Sequence, residues 1–571
     1  MGPTRPTSDV AHRTPAVPGA TTPEPSLPTS DDPHHAKAAA PLSAAVRVVS
    51  GLTLVSRFAG LVRDVVTARM FGATALGSGF QAAYSLPNLF RRLFGEGALS
   101  AAFLPEYTLL RRDHPDLSDQ LASITLWALT LVTGSLTLLL EAGVLIALLA
   151  LPADHDRALS LKLIMLMMPM MPAVCVTAIL GGMLQAHGKF GPPAAAPIIL
   201  NLFQVGAASV YYLHWLKAEP SAYVVGCAAV VASAVQIVWS LAALRGRVRW
   251  TRAWSNANRH ARKVLGRFIP AMLGLGTIQL NTMMDTVFAM WPVWVGATMF
   301  GRTVTLDDQS NALLRYTQTI YQFPLGVFGI AVATAVFPLL SRTADDDAAF
   351  VQHLRRGLRL SLFIGLPASV GLFLVRHDTL AAIYGGGNHG FTPEAIDRAA
   401  AVLAGFAPAV WAYSLNHVFT RAFYAKHDTK TPMVLAVCMV VLNFMLNLIL
   451  IWPLREAGLA WSTATSALVQ CAVLGTLCAV KLKVRPLDAT TLAALARIVL
   501  AGLLMGACVW GLQLAWPAVA TWKDHVLRLA ASVGAGGAVY AALGFALKLP
   551  ELKWLLHRGG GEGGAGGMSF E

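Results

Sequence analysis

Charged residues are scarce in this chain of 571 residues, since Asp, Glu, Lys and Arg make up only 13% of it. A soluble domain usually carries about 25%. Hydrophobic residues account for 55% of the chain, and the mean hydropathy is +0.57. This composition excludes an ordinary water-soluble enzyme and predicts a protein that crosses a membrane many times.

Cysteine is also infrequent, and the six cysteines have neither the paired spacing of a metal site nor that of a disulfide framework. All of them lie within apolar segments, as is typical of free thiols packed against helices or lipid. They are Cys175, Cys227, Cys438, Cys471, Cys478 and Cys508.

Fourteen apolar segments follow one another along the chain. They begin near Val46, Ser85, Leu121, Leu159, Ala194, Tyr223, Leu265, Leu313, Leu360, Ala400, Met433, Leu459, Thr491 and Leu527. We therefore predict an all-α polytopic membrane protein with about 14 transmembrane helices, in two six-helix lobes followed by two C-terminal helices.

The domain boundaries follow from composition and from a long basic connection between Arg245 and Arg267. Residues 1–40 hold eight prolines and no long apolar run, so we predict a disordered tail. The first lobe should span residues 41–250, the second 251–486 and the last two helices 487–550. A glycine-rich tail occupies residues 551–571.

The net charge of +14 comes from lysines and arginines in short connections between the apolar segments. One set of alternate connections carries 24 of them and the opposite set carries 9. The positive-inside rule then places both termini in the cytoplasm. This pattern predicts contact with anionic membrane lipids and makes nucleic acid an unexpected partner.

Eight ionisable residues interrupt the apolar segments: Arg57, Arg63, Asp64, Arg91, Arg92, Glu96, Asp285 and Arg315. At about 3 kcal/mol for each charge near a helix centre, exposing all eight to lipid would cost more than about 20 kcal/mol. They should therefore face protein or water. Some could form ion pairs, such as Arg92 with Glu96 four residues later on one helix face, or Asp64 with a basic residue of another helix.

These pairs leave a surplus of arginine in the N-terminal half. A water-filled cavity lined by guanidinium groups favours an anionic ligand, and arginine binds phosphate through two parallel hydrogen bonds. The residues thus indicate a transporter of a phosphorylated, amphipathic molecule. A drug or ion antiporter is the alternative, although it would be expected to carry more intramembrane acids.

Three strings of sequence resemble the MurJ (MviN) family of lipid II flippases. They are SRFAGLVRD at residues 56–64, SLPNLFRRLFGEGALSAAFLP at 85–105 and FYAKHDTKTP at 423–432. The resemblance extends from about residue 44 to 550. It implies a fourteen-helix inner-membrane protein of the multidrug/oligosaccharidyl-lipid/polysaccharide exporter superfamily.

According to this resemblance, the protein moves the undecaprenyl-pyrophosphate-linked peptidoglycan precursor, lipid II, from the cytoplasmic to the periplasmic leaflet by alternating access. It implies a monomer that works beside the cell-wall synthesis machinery, with an apolar groove for the lipid tail on the last two helices. The essential cavity arginines of the family correspond to Arg57, Arg63 and Arg91. Ser78 and Ser85 stand where relatives carry an acidic and a basic residue.

The resemblance also reveals a departure, because an arginine of the eighth helix aligns with Thr319. Arg315 precedes Thr319 by one helical turn, about 5.4 Å along the axis, and lies on the same face. We predict that Arg315 replaces the missing arginine, and an anchor at the membrane interface is the alternative. The predicted substrate-binding residues are therefore Arg57, Arg63, Arg91, Arg92, Glu96 and Arg315.

A second group of polar residues resembles a sodium site described for some family members. It comprises Asp285, Asn443, Asn447 and Thr463, whose oxygens suit a hard monovalent cation. Interhelical hydrogen bonding is the alternative interpretation. We expect no other cofactor.

Three rival functions remain open at this stage. A flippase for a related polyprenyl-linked oligosaccharide would use the same cavity chemistry. A polyprenyl-phosphate glycosyltransferase would usually need acidic clusters for a metal-bound donor, and only the run Asp345–Asp347 offers one. A transport-inactive scaffold would account for the missing arginine at Thr319.

Overall fold

The structure is a computed structural model that describes residues 33–556, except residues 153, 387–389, 518 and 520. Within this range, side chains are left out at 33–48, 50, 95–98, 100–101, 270–271, 273–275, 277–278, 327–328, 330 and 555–556. The described residues from Val48 onwards form one compact unit. Residues 33–47 belong to a second unit and are helical.

Almost the whole described chain is helical. The α-helices are α1 (Pro33–Phe71), α2 (Ala75–Phe90), α3 (Ala98–Asp113), α4 (Pro115–Ala150), α5 (His155–Met167), α6 (Met170–Ala186), α7 (Gly191–Tyr212), α8 (Ala218–Leu244), α9 (Asn258–Ala289), α10 (Trp291–Trp294), α11 (Ser310–Pro324), α12 (Ile330–Arg342), α13 (Asp347–Leu374), α14 (Arg376–Tyr384), α15 (Pro393–Phe406), α16 (Val410–Ala425), α17 (Lys430–Leu454), α18 (Glu456–Val480), α19 (Ala489–Ala515), α20 (Trp522–Ala546) and α21 (Pro550–Leu556).

The other elements are short. Strands β1 (Thr298–Met299) and β2 (Arg302–Thr303) form an antiparallel hairpin. Two π-helical turns join α2 to α3 and α11 to α12, at Arg91–Gly97 and Leu325–Gly329, and 3-10 turns lie at Ser255–Ala257 and Ala407–Ala409.

Among the described residues, ten helical stretches are long and apolar enough to cross a membrane. They coincide with ten of the fourteen predicted segments. The remaining four segments fall on α1, on α2 with α3, on α9 and on α11 with α12. These helices carry the intramembrane charges, which lower their hydropathy. The polytopic all-α fold is thus confirmed, and the total of fourteen spans remains a prediction.

The domain boundaries also remain a prediction, and the described helices from residue 48 onwards pack as one unit. Residues 1–32 and 557–571 of the two predicted tails lie outside the described residues, whereas residues 33–40 already belong to α1. Hydrophobic clusters centre on Met167 and Ile179 among the earlier helices and on Phe406 and Phe423 among the later ones. Two of them cross between the groups, since the Ile179 cluster includes Val264 of α9 and the Phe406 cluster includes Ala68 of α1.

The two ends of the helices differ in chemistry. At what we call the basic end, ion pairs join the connections that carry lysine and arginine, for example Lys481 with Asp428 at 2.7 Å and Arg355 with Asp488 at 2.8 Å. Burial alone would raise the pKa of Asp428, but hydrogen bonds from Lys481 and Thr431 lower that pKa to about 2. At the opposite, hairpin end lie β1, β2 and the starts of α2 and α11.

The C-terminal helices dock on α13 through a buried ion pair. Arg359 Nε donates to Glu551 Oε1 at 2.6 Å, and the Glu551 side chain has no solvent exposure. Trp554 lies under the guanidinium groups of both Arg356 and Arg359, at 4.6 and 5.2 Å from the ring centre. This arrangement holds α21, and with it the end of α20, against α13.

We expect Glu551→Gln to lower the free energy of unfolding by about 3 kcal/mol, because the largely buried guanidinium of Arg359 loses its carboxylate. Thermal unfolding of the purified protein in detergent measures this change as a lower Tm. Glu394→Gln is the matched control, since Glu394 is exposed at the start of α15. Equal Tm values for the two variants would contradict this role of Glu551.

Candidate functional site: a basic cavity between helices

A polar cavity of about 250 Å³ lies where α1, α2, α9 and α11 meet. We call it the central cavity. Four of the six predicted substrate-binding residues line it: Arg63, Arg91, Arg92 and Arg315. Its other lining residues are Asp64, Gln81, Tyr84, Ser85, Asn88, Leu89, Gln279, Thr282, Gln318, Thr319 and Gln322. Since Asp64 is the one acid in this lining, the cavity wall is strongly cationic.

The side chain of Arg63 is fixed by three helices. It contacts Asp64 Oδ1 from Nη2 at 2.6 Å and from Nε at 2.9 Å. Its Nη1 donates to the Tyr84 hydroxyl at 2.5 Å and to Asn201 Oδ1 at 3.0 Å, and its guanidinium carbon lies 4.7 Å from the Tyr84 ring centre. This network orients Arg63 before any ligand binds, which reduces the entropy lost on binding.

Asp64 pairs with Arg63, its neighbour in the sequence. The predicted ion pair between Asp64 and a basic residue of another helix is therefore wrong for the described residues. The contact it makes with another helix is a neutral one. Thr319 Oγ1 of α11 donates to Asp64 Oδ2 at 3.1 Å. Thr319, which aligns with the family arginine, therefore ties α11 to α1 through a hydroxyl group.

Arg315 enters the central cavity from α11 and is held by α9. Its Nη2 donates to the Thr282 carbonyl at 2.9 Å and also contacts Thr286 Oγ1, while Nη1 donates to Gln318 Oε1 at 2.9 Å. This position beside Thr319 fits the predicted replacement better than an interfacial anchor. The replacement itself stays a prediction.

Arg91 and Arg92 open the π-helical turn after α2, and both reach the central cavity. Pro87 lies one turn earlier in α2 and lacks the N–H that would continue the helical ladder. Such π-helical turns often mark functional sites. The side chain of Glu96 lies outside the described residues, so its predicted pairing with Arg92 is untested.

Arg57 takes a different place from the other predicted arginines. Its side chain is exposed, and its guanidinium lies directly against Gly326 in the second π-helical turn. A Cβ atom at Gly326 would meet that guanidinium, so a larger residue there would displace the exposed end of the Arg57 side chain. Arg57 is not part of the described lining of the central cavity.

A second cavity, of about 350 Å³, adjoins the central one among the earlier helices. We call it the lateral cavity. Both cavities are lined by Arg63, Tyr84, Asn88 and Arg91, which thus form a shared wall. The other residues of the lateral cavity are Gly60, Leu104, Val174, Thr177, Ala178, Gly181, Gly182, Gln185, Pro193, Ala196, Pro197, Leu200, Asn201 and Gln236.

A third cavity, of about 260 Å³, adjoins the central one through Ser85, Leu89, Thr282 and Arg315. We call it the apolar cavity, because aliphatic and aromatic side chains of α2, α4, α5, α9 and α10 make up most of its lining. They include Leu140, Val144, Ile164, Met283 and Trp294.

The four predicted cation-binding residues do come together. Asn447 Nδ2 donates to Asp285 Oδ1 at 2.9 Å and to Asn443 Oδ1 at 3.0 Å, and Asn443 Nδ2 donates to Thr463 Oγ1 at 3.1 Å. The bonds to Asp285 and Thr463 join α17 to α9 and α18, as interhelical hydrogen bonding, the alternative to a sodium site, would require. However, Asn447 Oδ1 is buried without a hydrogen-bond partner among the described residues, and a small cation suits such an oxygen beside a carboxylate. The donor set therefore fits sodium.

One further group has the composition of a metal site. Ligand atoms of His377, Asp378 and His525 lie within 4.8 Å of one another. Asp378 already accepts hydrogen bonds from Arg528 at 2.5 and 2.7 Å and from His525 at 2.8 Å. We interpret the group as an ion-paired junction between α14 and α20.

Two contacts between earlier and later helices were not predicted from the sequence. At the hairpin end, the Ser78 carbonyl accepts a hydrogen bond from Asn311 at 2.8 Å, and its hydroxyl accepts one from the Ala312 N–H at 3.0 Å. At the basic end, buried Glu106 of α3 pairs with Lys263 of α9 at 2.7 Å and with His260 at 2.8 Å. The signal for Glu106 was present, since it is an acid directly after the 85–105 string.

The fold resembles that of a solved transporter of the MOP superfamily. A solved multidrug resistance MATE family transporter in an inward-facing conformation matches with a TM-score of 0.61 at 12% identity, covering 77% of this chain and 98% of that one. A solved lipid II flippase MurJ, in an inward closed conformation, matches with a TM-score of 0.72 at 21% identity, covering 88% and 99%.

Sequence comparison identifies the particular family. The family model described as lipid II flippase MurJ matches residues 67–530. A probable lipid II flippase MurJ of Vibrio cholerae is 31% identical over 526 residues, covering 87% of this chain and 94% of the relative. The lipid II flippase MurJ of Burkholderia cenocepacia is 27% identical over 437 residues, covering 74% and 81%. The chain belongs to the MurJ family, and the predicted resemblance is confirmed.

Glu106→Ala should loosen the contact between α3 and α9, because it removes the buried carboxylate that Lys263 and His260 contact at this junction. We expect a lower Tm in detergent and faster labelling of a cysteine introduced at Ala261, which lies in the α3–α9 interface. Glu394→Gln again serves as the exposed control. Unchanged labelling would show that the ion pairs do not hold this interface.

Proposed function

We propose that this protein is a flippase that moves lipid II, the undecaprenyl-pyrophosphate-linked peptidoglycan precursor, from the cytoplasmic to the periplasmic leaflet of the bacterial inner membrane. The observation that carries the proposal is the central cavity, whose wall holds four arginines and one acid. Family membership supports the same substrate.

The cavity chemistry suits a diphosphate. Arg63 and Asp64 form a neutral pair, whereas Arg315 is held by neutral hydrogen-bond acceptors, so its guanidinium adds an excess of positive charge to the cavity wall. A diphosphate carries at least two negative charges and many acceptor oxygens, so it can balance this excess and bind guanidinium forks in pairs. A cationic drug would be repelled by the same wall.

Transport by alternating access needs a closed side and a side that can open. The contact of Ser78 with the start of α11 closes the hairpin end, which we assign to the periplasm because the basic connections lie at the opposite end. Both termini would then be cytoplasmic. Ser78 stands where relatives carry an acid, and its hydroxyl still accepts from the first turn of α11, a favourable position for such an acceptor.

The rival functions have less support. Asp346 caps the start of α13, and Asp347 pairs with Lys426 at 2.7 Å, so the acidic run 345–347 already has structural partners. Family membership supports a transport role rather than a catalytic one. Arg315 keeps a positive charge in the cavity wall next to Thr319, which aligns with the family arginine. This argues against a transport-inactive scaffold. We further propose that the basic segment 245–267 contacts anionic lipids.

Expression of this chain should restore growth in a bacterium depleted of its own lipid II flippase. Arg63→Ala and Arg315→Ala should each abolish rescue, because each removes a guanidinium from the cavity wall. Arg302→Ala is the matched control, since Arg302 is exposed on β2. Accumulated lipid-linked precursor, measured in the depleted cells, should fall only where growth is rescued. Full rescue by Arg315→Ala would show that Arg315 does not replace the family arginine.

We also propose that sodium binds at Asp285, Asn443, Asn447 and Thr463. The purified protein should then show a higher Tm in sodium than in potassium at equal ionic strength, and Asp285→Ala should remove this difference. Transport in proteoliposomes should lose its dependence on sodium in the same variant. Persistence of full sodium dependence in Asp285→Ala would place the ion elsewhere.

A further inference from the structure

The three cavities differ in chemistry in a definite order. The lateral cavity has a mixed lining of neutral polar, small and aliphatic side chains apart from its shared wall, the central cavity is cationic, and the apolar cavity is nearly free of polar surface. The central cavity adjoins each of the other two through a different set of residues. A ligand held in the central cavity thus has two neighbouring spaces of different polarity.

A polyprenyl diphosphate that carries a sugar has the same order of chemistry. Its charged diphosphate lies between an apolar chain on one side and a neutral, hydroxyl-rich carbohydrate on the other. If arginines hold the diphosphate in the central cavity, covalent geometry sends the two substituents in different directions. The apolar cavity suits the isoprene units next to the diphosphate, and the rest of the chain can remain in lipid.

We propose that the lateral cavity is the carbohydrate subsite, with the diphosphate held at the shared wall of Arg63 and Arg91. This inference rests on the proposed function and adds the location of the sugar. The cavity volume of about 350 Å³ lies within the range of small-molecule sites, about 300–1,000 Å³.

The lining of the lateral cavity supports a neutral polar ligand. Gln185 offers an amide, and Thr177 and Gln236, which already donate to backbone carbonyls, keep oxygens that can accept. Asn201 is held by Arg63 and Ser56, and Tyr84 adds an aromatic ring at the shared wall. Such groups hydrogen-bond to sugar hydroxyls and acetamido groups without adding charge. The two cations at the shared wall, Arg63 and Arg91, lie on the side where the diphosphate would bind.

Close helix packing gives the lateral cavity a rigid wall. A Cβ atom on Gly182 would come within 2.6 Å of Leu104, and one on Gly181 within 3.1 Å of Pro193. The glycines therefore let α6 pack closely against α3 and α7. Ala178 lies one turn before Gly182 and lines the same cavity, so a larger side chain there would extend into the space assigned to the sugar.

The test compares two lipids on the purified full-length protein: undecaprenyl diphosphate, which has no sugar, and lipid II. Native mass spectrometry measures the bound fraction of each. Ala178→Trp should weaken binding of lipid II at least about tenfold and leave undecaprenyl diphosphate binding unchanged. Ala178→Ser, at the same position, should bind both lipids as the wild type does.

Two further variants keep the test decisive if Ala178→Trp fails to fold. Gln185→Leu changes an exposed lining residue at similar volume and should weaken lipid II binding alone. Arg63→Ala should weaken both lipids, since it acts on the diphosphate. Equal losses for both lipids, or no loss, in Ala178→Trp and Gln185→Leu would overturn the carbohydrate subsite. Failure of the wild type to bind either lipid would instead overturn the proposed function.

Discussion

The rest of the structure depends on guanidinium groups kept within segments that the sequence predicts to span the membrane. An arginine facing lipid near a helix centre is costly, so Arg63, Arg91, Arg92 and Arg315 all face a cavity enclosed by helices. The surrounding side chains hold two of these groups in place: Arg63 through Asp64, Tyr84 and Asn201, and Arg315 through α9. A polar ligand with negative charge is the natural complement of such a wall.

The same constraint shapes the helices. Four predicted segments are not apolar enough to count as simple membrane spans, and each of them contributes residues to the central cavity. Two of the four contain π-helical turns. α9 contacts α3 near the basic end and α17 farther along, so it connects earlier and later helices. The ties at Ser78 and Glu106, at opposite ends of the protein, join the earlier and later helices on either side of the central cavity.

Much of the site could be predicted because charge in an apolar segment is a strong signal. This signal located Arg63, Arg91 and Arg315, and the i, i+4 spacing of Asn443 and Asn447 placed them on one face towards Asp285. The cavities could not be predicted, since they depend on how glycines and prolines of separate helices pack. For the same reason, neither the bond from Thr319 to Asp64 nor the contact of Arg57 with Gly326 was visible in the sequence.

The central claim is that the basic cavity carries the diphosphate headgroup of lipid II across the membrane. Headgroup accessibility in proteoliposomes tests it most directly: labelled lipid II is incorporated with the purified protein, and the fraction reached by an impermeant headgroup reagent is followed over time. The account predicts rapid access to the inner-leaflet lipid with the wild type and slow, protein-free rates when Arg63 and Arg91 are both replaced by Ala. Equal rates for the wild type and that double variant would contradict it.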